Sequence, residues 1–190
     1  MRTIIRQAVL VAICGLCATL TVRAQEVVHA LTGTVTAVNQ AGKSLTVSTD
    51  DGTEGQFTTD LGHKVSLDFT QSVKAETTPA SSFTKTNARV LVYYIGDNSI
   101  RTAVAVEDLG AGPFVKTAGT VVKMDRHAHE LVIKNAAGAE ETFKIDGKTV
   151  AEAAEGVEAG EKFDAHKGDR VRVTATTAGG VEKALFIRSI

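Results

Sequence analysis

The residues best suited to chemistry lie in one short stretch near the middle of the chain, Met124-Asp-Arg-His-Ala-His-Glu130. On an extended segment, His127 and His129 point to the same face, so their imidazoles can share one metal ion. Asp125 or Glu130 would complete the ligand shell. Imidazole suits copper and zinc, but two imidazoles fall short of the three or four protein ligands that most structural and catalytic sites use. Two interpretations stay open: a copper or zinc site built on His127, His129 and Asp125, and a solvated polar turn.

Other arrangements that support catalysis are missing from the sequence. No serine stands in a Gly-x-Ser-x-Gly motif, and no phosphate-binding glycine loop joins a strand to a helix. Two acidic pairs, Asp50-Asp51 and Glu140-Glu141, fall at predicted turns or strand faces, where we expect them to be solvated. The sequence therefore predicts a protein that is not an enzyme and that uses no cofactor, apart from the metal ion considered above.

The elements that position these residues recur along the chain. Residues 33–60 align without a gap on residues 119–146, and the identities fall at turn glycines and inward positions: Gly33/Gly119, Thr34/Thr120, Val35/Val121, Leu45/Leu131, Gly52/Gly138, Glu54/Glu140, Phe57/Phe143 and Asp60/Asp146. Gly110-Ala-Gly-Pro113 marks a break between the two copies. The predicted organisation is a signal peptide (1–24), a first repeat (25–110), a linker (111–114) and a second repeat (115–190).

Within each repeat, apolar and polar residues alternate, which is typical of half-buried strands. Leu31, Gly33, Val35 and Ala37 form one such series. In the second repeat, Thr149-Val-Ala-Glu152 fits a capping box and predicts a helix over 149–160. In the first, the Lys64–Thr86 segment predicts a strand at its start (Val65, Leu67, Phe69) and an exposed loop after it. The order predicts an all-β protein of two tandem five-stranded OB-like barrels, each with at most one short helix.

Residues 1–24 have the features of a cleavable signal peptide. Two arginines precede an apolar run from Ala8 to Leu20, and Ala24 occupies the cleavage position. Because about 20 apolar residues are needed to span a bilayer, we expect a periplasmic or secreted protein with no membrane span after cleavage. An uncleaved anchor is the alternative. Cleavage removes both cysteines and three basic residues, leaving 18 basic against 22 acidic residues and taking the formal charge from −1 to about −4.

One group of residues has the composition of a nucleic-acid surface: Tyr93 and Tyr94 with Arg89 and Arg101, on the last two strands of the first repeat. OB barrels that bind single strands stack bases on aromatic residues in a basic groove. Because the chain is mildly acidic and only 5% aromatic, we expect no nucleic-acid partner. Tyr93 is predicted to point outward from the sheet and Tyr94 to cap the barrel core. The same face suits contact with an envelope protein or a glycan.

The motifs of the chain follow the order Gly-Thr-Val, Leu-x-Val/Ile, Gly, Phe, Gly-Asp-Arg-Val-x-Val and Ala-x-x-Ile. In this order the repeats resemble an uncharacterised family of OB-like domains that occur, often in tandem, in exported bacterial proteins. The resemblance rests on glycines and core positions, so it implies a fold and no chemistry. The repeats are also similar in topology to periplasmic copper-chaperone barrels, which bind copper through a histidine, two methionines and a tryptophan. This chain has no tryptophan and, after cleavage, one methionine, Met124. The copper role is therefore not implied.

These observations predict a non-catalytic exported binding or structural module of the periplasm or cell envelope. Its expected partner is an envelope protein or a glycan. The alternative is a periplasmic protein that binds copper or zinc through the His127/His129 turn.

Overall fold

The computed structural model of the chain describes residues 26–62, 65, 67, 71–97 and 100–190. Two sheets form the fold, which is all-β as the alternation predicts. The strands of one sheet lie between residues 29 and 108, and those of the other between 114 and 189. The predicted signal peptide lies outside the described residues.

The first sheet forms a closed barrel of five strands, called here the first barrel. Its order is β3-β2-β1-β5-β6, and pairing of β3 with β6 closes the ring. A short strand, β4, pairs with β6 outside the ring. The elements are β1 (His29–Asn39), β2 (Ser44–Thr49), β3 (Glu54–Thr58), α1 (Gln71–Glu76), β4 (Thr77–Pro79), a 3-10 helix (Ala80–Ser82), β5 (Arg89–Ile95) and β6 (Thr102–Asp108).

The second sheet forms the second barrel with the same order of strands. Its strand order is β9-β8-β7-β12-β13, and pairing of β13 with β9 closes the ring. The hairpin of β10 and β11 is attached to β13. The elements are β7 (Phe114–Asp125), β8 (Glu130–Asn135), β9 (Glu140–Lys144), β10 (Val150–Ala153), β11 (Gly156–Ala159), a 3-10 helix (Gly160–Lys162), β12 (Arg170–Ala178) and β13 (Val181–Ser189).

The barrel interiors are apolar because inward residues alternate along every strand. Residues from equivalent positions fill both: Val35 and Val121, Leu45 and Leu131, Val47 and Ile133, Phe57 and Phe143, Phe83 and Phe163, Val90 and Val171. Each phenylalanine of the Phe83/Phe163 pair directly follows a 3-10 helix. The interior of each barrel therefore includes residues from the segment before its fourth barrel strand.

A bulge shifts the alternation of the first strand in both barrels. The register breaks between Val35 and Ala37 in β1 and between Val121 and Lys123 in β7. Ala37, predicted to face inward, is consequently exposed. Gly33 lies just before the bulge, where an added Cβ would come within 2.4 Å of the Val47 side chain. The close approach of β1 and β2 thus requires glycine at this point.

The helix predicted over 149–160 is wrong. Residues 150–159 form the β10–β11 hairpin, and β10 runs parallel to β13. The capping-box residues have other partners: the Thr149 hydroxyl donates to the Ala184 carbonyl over 2.8 Å, and Glu152 contacts the first barrel. Pairing with β13 and burial of Val150 outweigh the local preference for a helix.

The exposed loop predicted within Lys64–Thr86 is also wrong for residues 71–83. This stretch contains α1, β4 and a 3-10 helix, and Val73, Ala80 and Phe83 are buried. The predicted strand residue Phe69 lies outside the described residues. The stretch is rich in serine and threonine, which favours a loop. Its few apolar residues are too far apart in sequence to show the period of a helix or a strand.

The two barrels pack against each other through the outer faces of their sheets. An apolar cluster joins Ala30, Val73, Leu91, Tyr93 and Ala105 of the first barrel to Val150 and Phe186 of the second. The backbone N–H of Val157 in β11 donates to the Val28 carbonyl over 2.9 Å, just before β1. Tyr93 points out of its own barrel, as predicted, but the second barrel buries it completely.

Candidate functional site

The predicted metal ligands lie in the turn between β7 and β8. His127 and His129 are both exposed, and His129 adopts a left-handed backbone with φ of 52°. Asp125 accepts a 2.6 Å hydrogen bond from the Lys123 ammonium and a 2.9 Å bond from the backbone N–H of Ala128. These bonds, Lys123 first, lower the pKa of Asp125 to about 2. The carboxylate is thus already bonded at the turn.

The equivalent turn of the first barrel has the same construction without histidine. Asn39 accepts a 2.7 Å bond from the backbone N–H of Gly42, and Lys43 has a φ of 47°. The carbonyls of Lys43 and His129 each accept an N–H of the chain leaving the third strand, from Thr59 and Ile145. Asp125 and His129 therefore hold positions that a β-turn of this type fills for conformational reasons.

Across the described residues, no group of three or more His, Cys, Asp or Glu side chains lies close enough to hold a metal ion. Glu130, the other predicted ligand, pairs with Lys144 over 2.7 Å. The metal site at His127, His129 and Asp125 stays a prediction.

A cleft that the sequence did not reveal lies on the β2–β3 face of the first barrel. We call it the β2–β3 cleft. Its volume of about 390 Å³ falls in the range of small-ligand sites. Ten residues line it: Gly42, Lys43, Ser44, Leu45, Thr46, Gln56, Phe57, Thr58, Ile100 and Arg101. They come from the β1–β2 turn, strands β2 and β3, and the segment entering β6.

Strand alternation determines which side chains reach the cleft. Leu45 and Phe57 pair across β2 and β3 and are buried in the barrel, so they form its apolar floor. Thr46 pairs with Gln56 and Ser44 with Thr58 on the opposite, outward face. The cleft is therefore a row of hydroxyls and one amide above an apolar floor. Alternating polar residues on β2 and β3 were the available signal, but every half-buried strand shows them.

Two cations flank the Ser44–Thr58 pair, one on each side. Lys43 pairs with Asp60 over 2.8 Å, and both side chains are more than half exposed. The guanidinium carbon of Arg101 lies 5.5 Å from the centre of the Tyr94 ring. Tyr94 belongs to the barrel core, as predicted, and contacts Phe57 with ring centres 5.4 Å apart. Arg101 thus rests on a residue that is itself fixed by the core.

A second polar group lies between the barrels and corrects the expectation for Asp50, which is only 6% exposed rather than solvated. Arg89 binds both of its oxygens, Lys116 of the second barrel lies 2.6 Å away, and the Thr32 hydroxyl also donates to it. Burial raises the pKa of Asp50, but the hydrogen bonds from Arg89, Lys116 and Thr32 outweigh burial and hold the pKa at about 2. Asp50 therefore stays charged and joins the barrels.

Two further buried acids lie along the same interface. Glu152 of β10 contacts His29 of β1 over 2.9 Å. Its other oxygen is 3.2 Å from Arg188, at an angle too poor for a hydrogen bond. The Tyr93 hydroxyl donates to Glu107 over 2.8 Å, and burial raises the pKa of Glu107. The cavity beside Asp50, about 20 Å³, is the size of one water molecule. Asp50 and Glu152 therefore both bond to residues of the other barrel.

No protein-family profile matches the chain, and no curated protein matches it. Among solved structures, CusF with bound silver is 17% identical, with a TM-score of 0.32 over 40% of this chain and 97% of CusF. Apo-CusF from Escherichia coli is 14% identical, with a TM-score of 0.33 over 44% of this chain and 94% of CusF.

Within the part of the chain that the structure describes, no helix is long and apolar enough to cross a membrane.

Proposed function

We propose that this chain is a non-catalytic binding module, exported to the periplasm or cell envelope, and that it binds carbohydrate in the β2–β3 cleft. The observation that carries the proposal is the cleft itself. In OB folds generally, ligands bind on the face of the second and third strands, between the loop joining the first two strands and the loop joining the last two. The cleft occupies this place, because its residues come from those strands and from the ends of those two loops.

The lining favours a polyhydroxylated ligand. Ser44 and Thr46 offer hydroxyl groups that both donate and accept, and Gln56 offers an amide that does the same. The Thr58 hydroxyl already donates to the Lys43 carbonyl over 3.4 Å and accepts from the Asp60 N–H over 3.2 Å. The other three side chains match sugar hydroxyls, which also donate and accept. Protein interfaces instead have cores rich in Tyr, Trp, Phe, Met and Arg, whereas among the described residues of the lining Ile100 is the one exposed large apolar side chain.

The lining also explains why the site would bind without reacting. Among the described residues that form it, none is His, Asp or Glu. The described lining therefore supplies no base that would make one of its hydroxyls a nucleophile, and Asp60 at its edge is paired with Lys43 over 2.8 Å. Hydrolysis of a glycosidic bond uses two carboxyl groups on either side of the bond, and the lining provides neither.

The test uses the chain purified after signal cleavage and a panel of soluble polysaccharides, measured by isothermal titration calorimetry. In the Thr46→Tyr variant, an aromatic ring covers part of the cleft from an outward strand position that tolerates it. We expect binding at least about tenfold weaker than wild type, which is a loss of about 1.4 kcal/mol. Val132 holds the equivalent position on β8, so Val132→Tyr is the matched control and should bind like wild type.

Failure of the wild-type chain to bind any polysaccharide in the panel would overturn the proposal. Binding that Thr46→Tyr leaves unchanged would also overturn it, because the ligand would then lie elsewhere.

A further inference from the structure

We infer that the carbohydrate taken by the β2–β3 cleft is an acidic polysaccharide, with Lys43 and Arg101 contacting successive negative groups along it. This inference rests on the function proposed above and adds the chemical class of the ligand. Lys43 and Arg101 are the two charged residues among the described residues of the lining, and both are basic. The chain as a whole carries one more acidic than basic residue, so a cleft lined only by bases stands out from it.

The two bases stand on opposite sides of one strand. Thr58, the last residue of β3, pairs with Ser44 of β2 on one side and with Thr102 of β6 on the other. Lys43 directly precedes Ser44, and Arg101 directly precedes Thr102. Because neighbouring strands lie about 4.8 Å apart, the two backbones are separated by about 10 Å. A ligand chain crossing Thr58 would therefore meet one cation on each side.

Both cations are available to a ligand. The pair between Lys43 and Asp60 is exposed, with side chains 58% and 60% accessible, so it stabilises the fold little and exchanges readily. Arg101 contacts Tyr94 through the ring, which leaves its N–H groups for a carboxylate or sulfate. The Ser44–Thr58 pair lies between the cations, and Thr46 and Gln56, one pair further along the strands, supply neutral hydrogen-bonding groups for the sugar hydroxyls.

The second barrel lacks this arrangement. His129 stands where the first barrel has Lys43, and Glu182 stands where it has Arg101. Lys144, at the position of Thr58, pairs with Glu130 over 2.7 Å. Because an acid replaces one of the two bases, an anionic chain should distinguish the two barrels and bind to the first.

The floor of the cleft argues for a polysaccharide over a single-stranded nucleic acid, which is the other flexible polyanion. Nucleic-acid clefts in OB barrels stack bases on exposed aromatic rings. The aromatic residue of this lining, Phe57, is 2% exposed and packs inside the barrel. The cleft therefore offers charge and hydrogen bonds but no accessible ring on which a base would stack.

The experiment titrates the purified mature chain with polygalacturonate, and in parallel with neutral dextran and single-stranded DNA. The variants are Lys43→Gln, Arg101→Gln and the double variant, with Lys144→Gln in the second barrel as the matched control. Circular dichroism and thermal melting of each variant verify that it is folded. We expect each single variant to bind polygalacturonate about 5-fold more weakly, which corresponds to about 1 kcal/mol for a partly exposed ion pair.

If the two cations act independently, the double variant should bind about 25-fold more weakly. Lys144→Gln should bind like wild type, and raising the ionic strength should weaken binding through screening. Dextran and DNA should bind more weakly than polygalacturonate.

Three outcomes would overturn the inference. If dextran and polygalacturonate bind equally well and Thr46→Tyr weakens both, the ligand need not be acidic, and the proposed function is unaffected. Binding of polygalacturonate that is unaffected in the folded double variant places the anion elsewhere. Tighter binding of DNA than of polygalacturonate through the same two residues makes the site a nucleic-acid site. If no polysaccharide binds at all, the proposed function fails as well.

Discussion

The two barrels have nearly the same interior and quite different outer faces. Inside, equivalent positions keep the same or a similar side chain, as with Leu45 and Leu131 or Phe83 and Phe163. Outside, equivalent positions of the last two strands differ in kind: Leu91 is matched by Arg172 and Glu107 by Arg188. The interior is constrained by packing in one barrel alone, whereas the outer face is constrained by the other barrel.

The outer faces are where the two barrels pack against each other. Each outer face is incomplete without its neighbour, since Tyr93 and Phe186 would be exposed apolar residues in a separated unit. Ion pairs also cross between the barrels: Asp50 of the first barrel pairs with Lys116 of the second, and Glu152 of the second barrel pairs with His29 of the first. The faces are complementary rather than identical.

The interior comparison is tested by the equivalent variants Phe83→Ala and Phe163→Ala. Each removes a fully packed ring that follows a 3-10 helix, and each should lower the free energy of unfolding by about 3–5 kcal/mol. We expect the two losses, measured by urea denaturation, to agree within about 1 kcal/mol because the surroundings are alike. A loss confined to one of the two variants would show that the interiors are not equivalent.

The outer-face comparison is tested by Asp50→Asn, which leaves Arg89 and Lys116 without their carboxylate. Removing one partner of a buried ion pair costs about 3 kcal/mol or more, and thermal melting should show the loss. The pKa of Asp50 is about 2 in the fold against 3.8 as a free side chain. Its stabilisation is therefore fully present above pH 3.8 and is lost as the pH falls towards 2.

In wild type, this part of acid unfolding should follow the titration of Asp50, and Asp50→Asn should lack it. Glu107→Gln is the control at the same interface with the opposite sign. Because burial raises the pKa of Glu107, its contribution is present below the unfolded pKa and is lost as the pH rises through the folded pKa. The glutamine variant should thus be as stable as wild type or more stable near neutral pH. An unchanged acid transition in Asp50→Asn would contradict the assignment to Asp50.

The smallest effect is expected at the turns. Asn39 and Asp125 accept equivalent backbone bonds, so Asp125→Asn should change the unfolding free energy by less than about 0.5 kcal/mol. The same variant tests the metal hypothesis when copper and zinc are titrated into it, into His127→Ala/His129→Ala and into wild type. If the turn is only conformational, all three bind alike or not at all. Metal binding by wild type that both variants lose would establish the site.

The sequence was sufficient for the strand residues of the barrel interiors, but not for Phe83, which lies in the stretch predicted to be an exposed loop. Alternation along β1, β2, β8 and β12 separates inward from outward residues, because a strand has a period of two regardless of its surroundings. The same reasoning predicted Tyr94 in the core. It missed Ala37, since a bulge adds one residue and reverses the faces after it.

The outer faces were not predictable from a single repeat. Asp50 follows a strand and precedes Asp51-Gly52, which is a turn pattern expected in water. Its cationic partners are distant in sequence, since Arg89 is 39 residues away and Lys116 belongs to the second barrel. Glu152 fitted a helix cap for the same reason: its true partner, His29, is 123 residues away. The β2–β3 cleft escaped notice because its lining is composed of ordinary outward residues, and only closure of the barrel brings Arg101 beside Thr58.

Closure of the first barrel has a consequence for the ligand site. β3 and β6 meet at a single pair, Thr58 and Thr102, supported by the bond from the Thr58 N–H to the Arg101 carbonyl over 2.9 Å. The cleft lies over this junction. A chain held by Lys43 on one side and Arg101 on the other would bridge the shortest strand pairing of the ring. Ligand binding would then hold β3 and β6 together and slow the opening of the barrel. Occupancy would be measurable as protection of the Thr58 amide against hydrogen exchange.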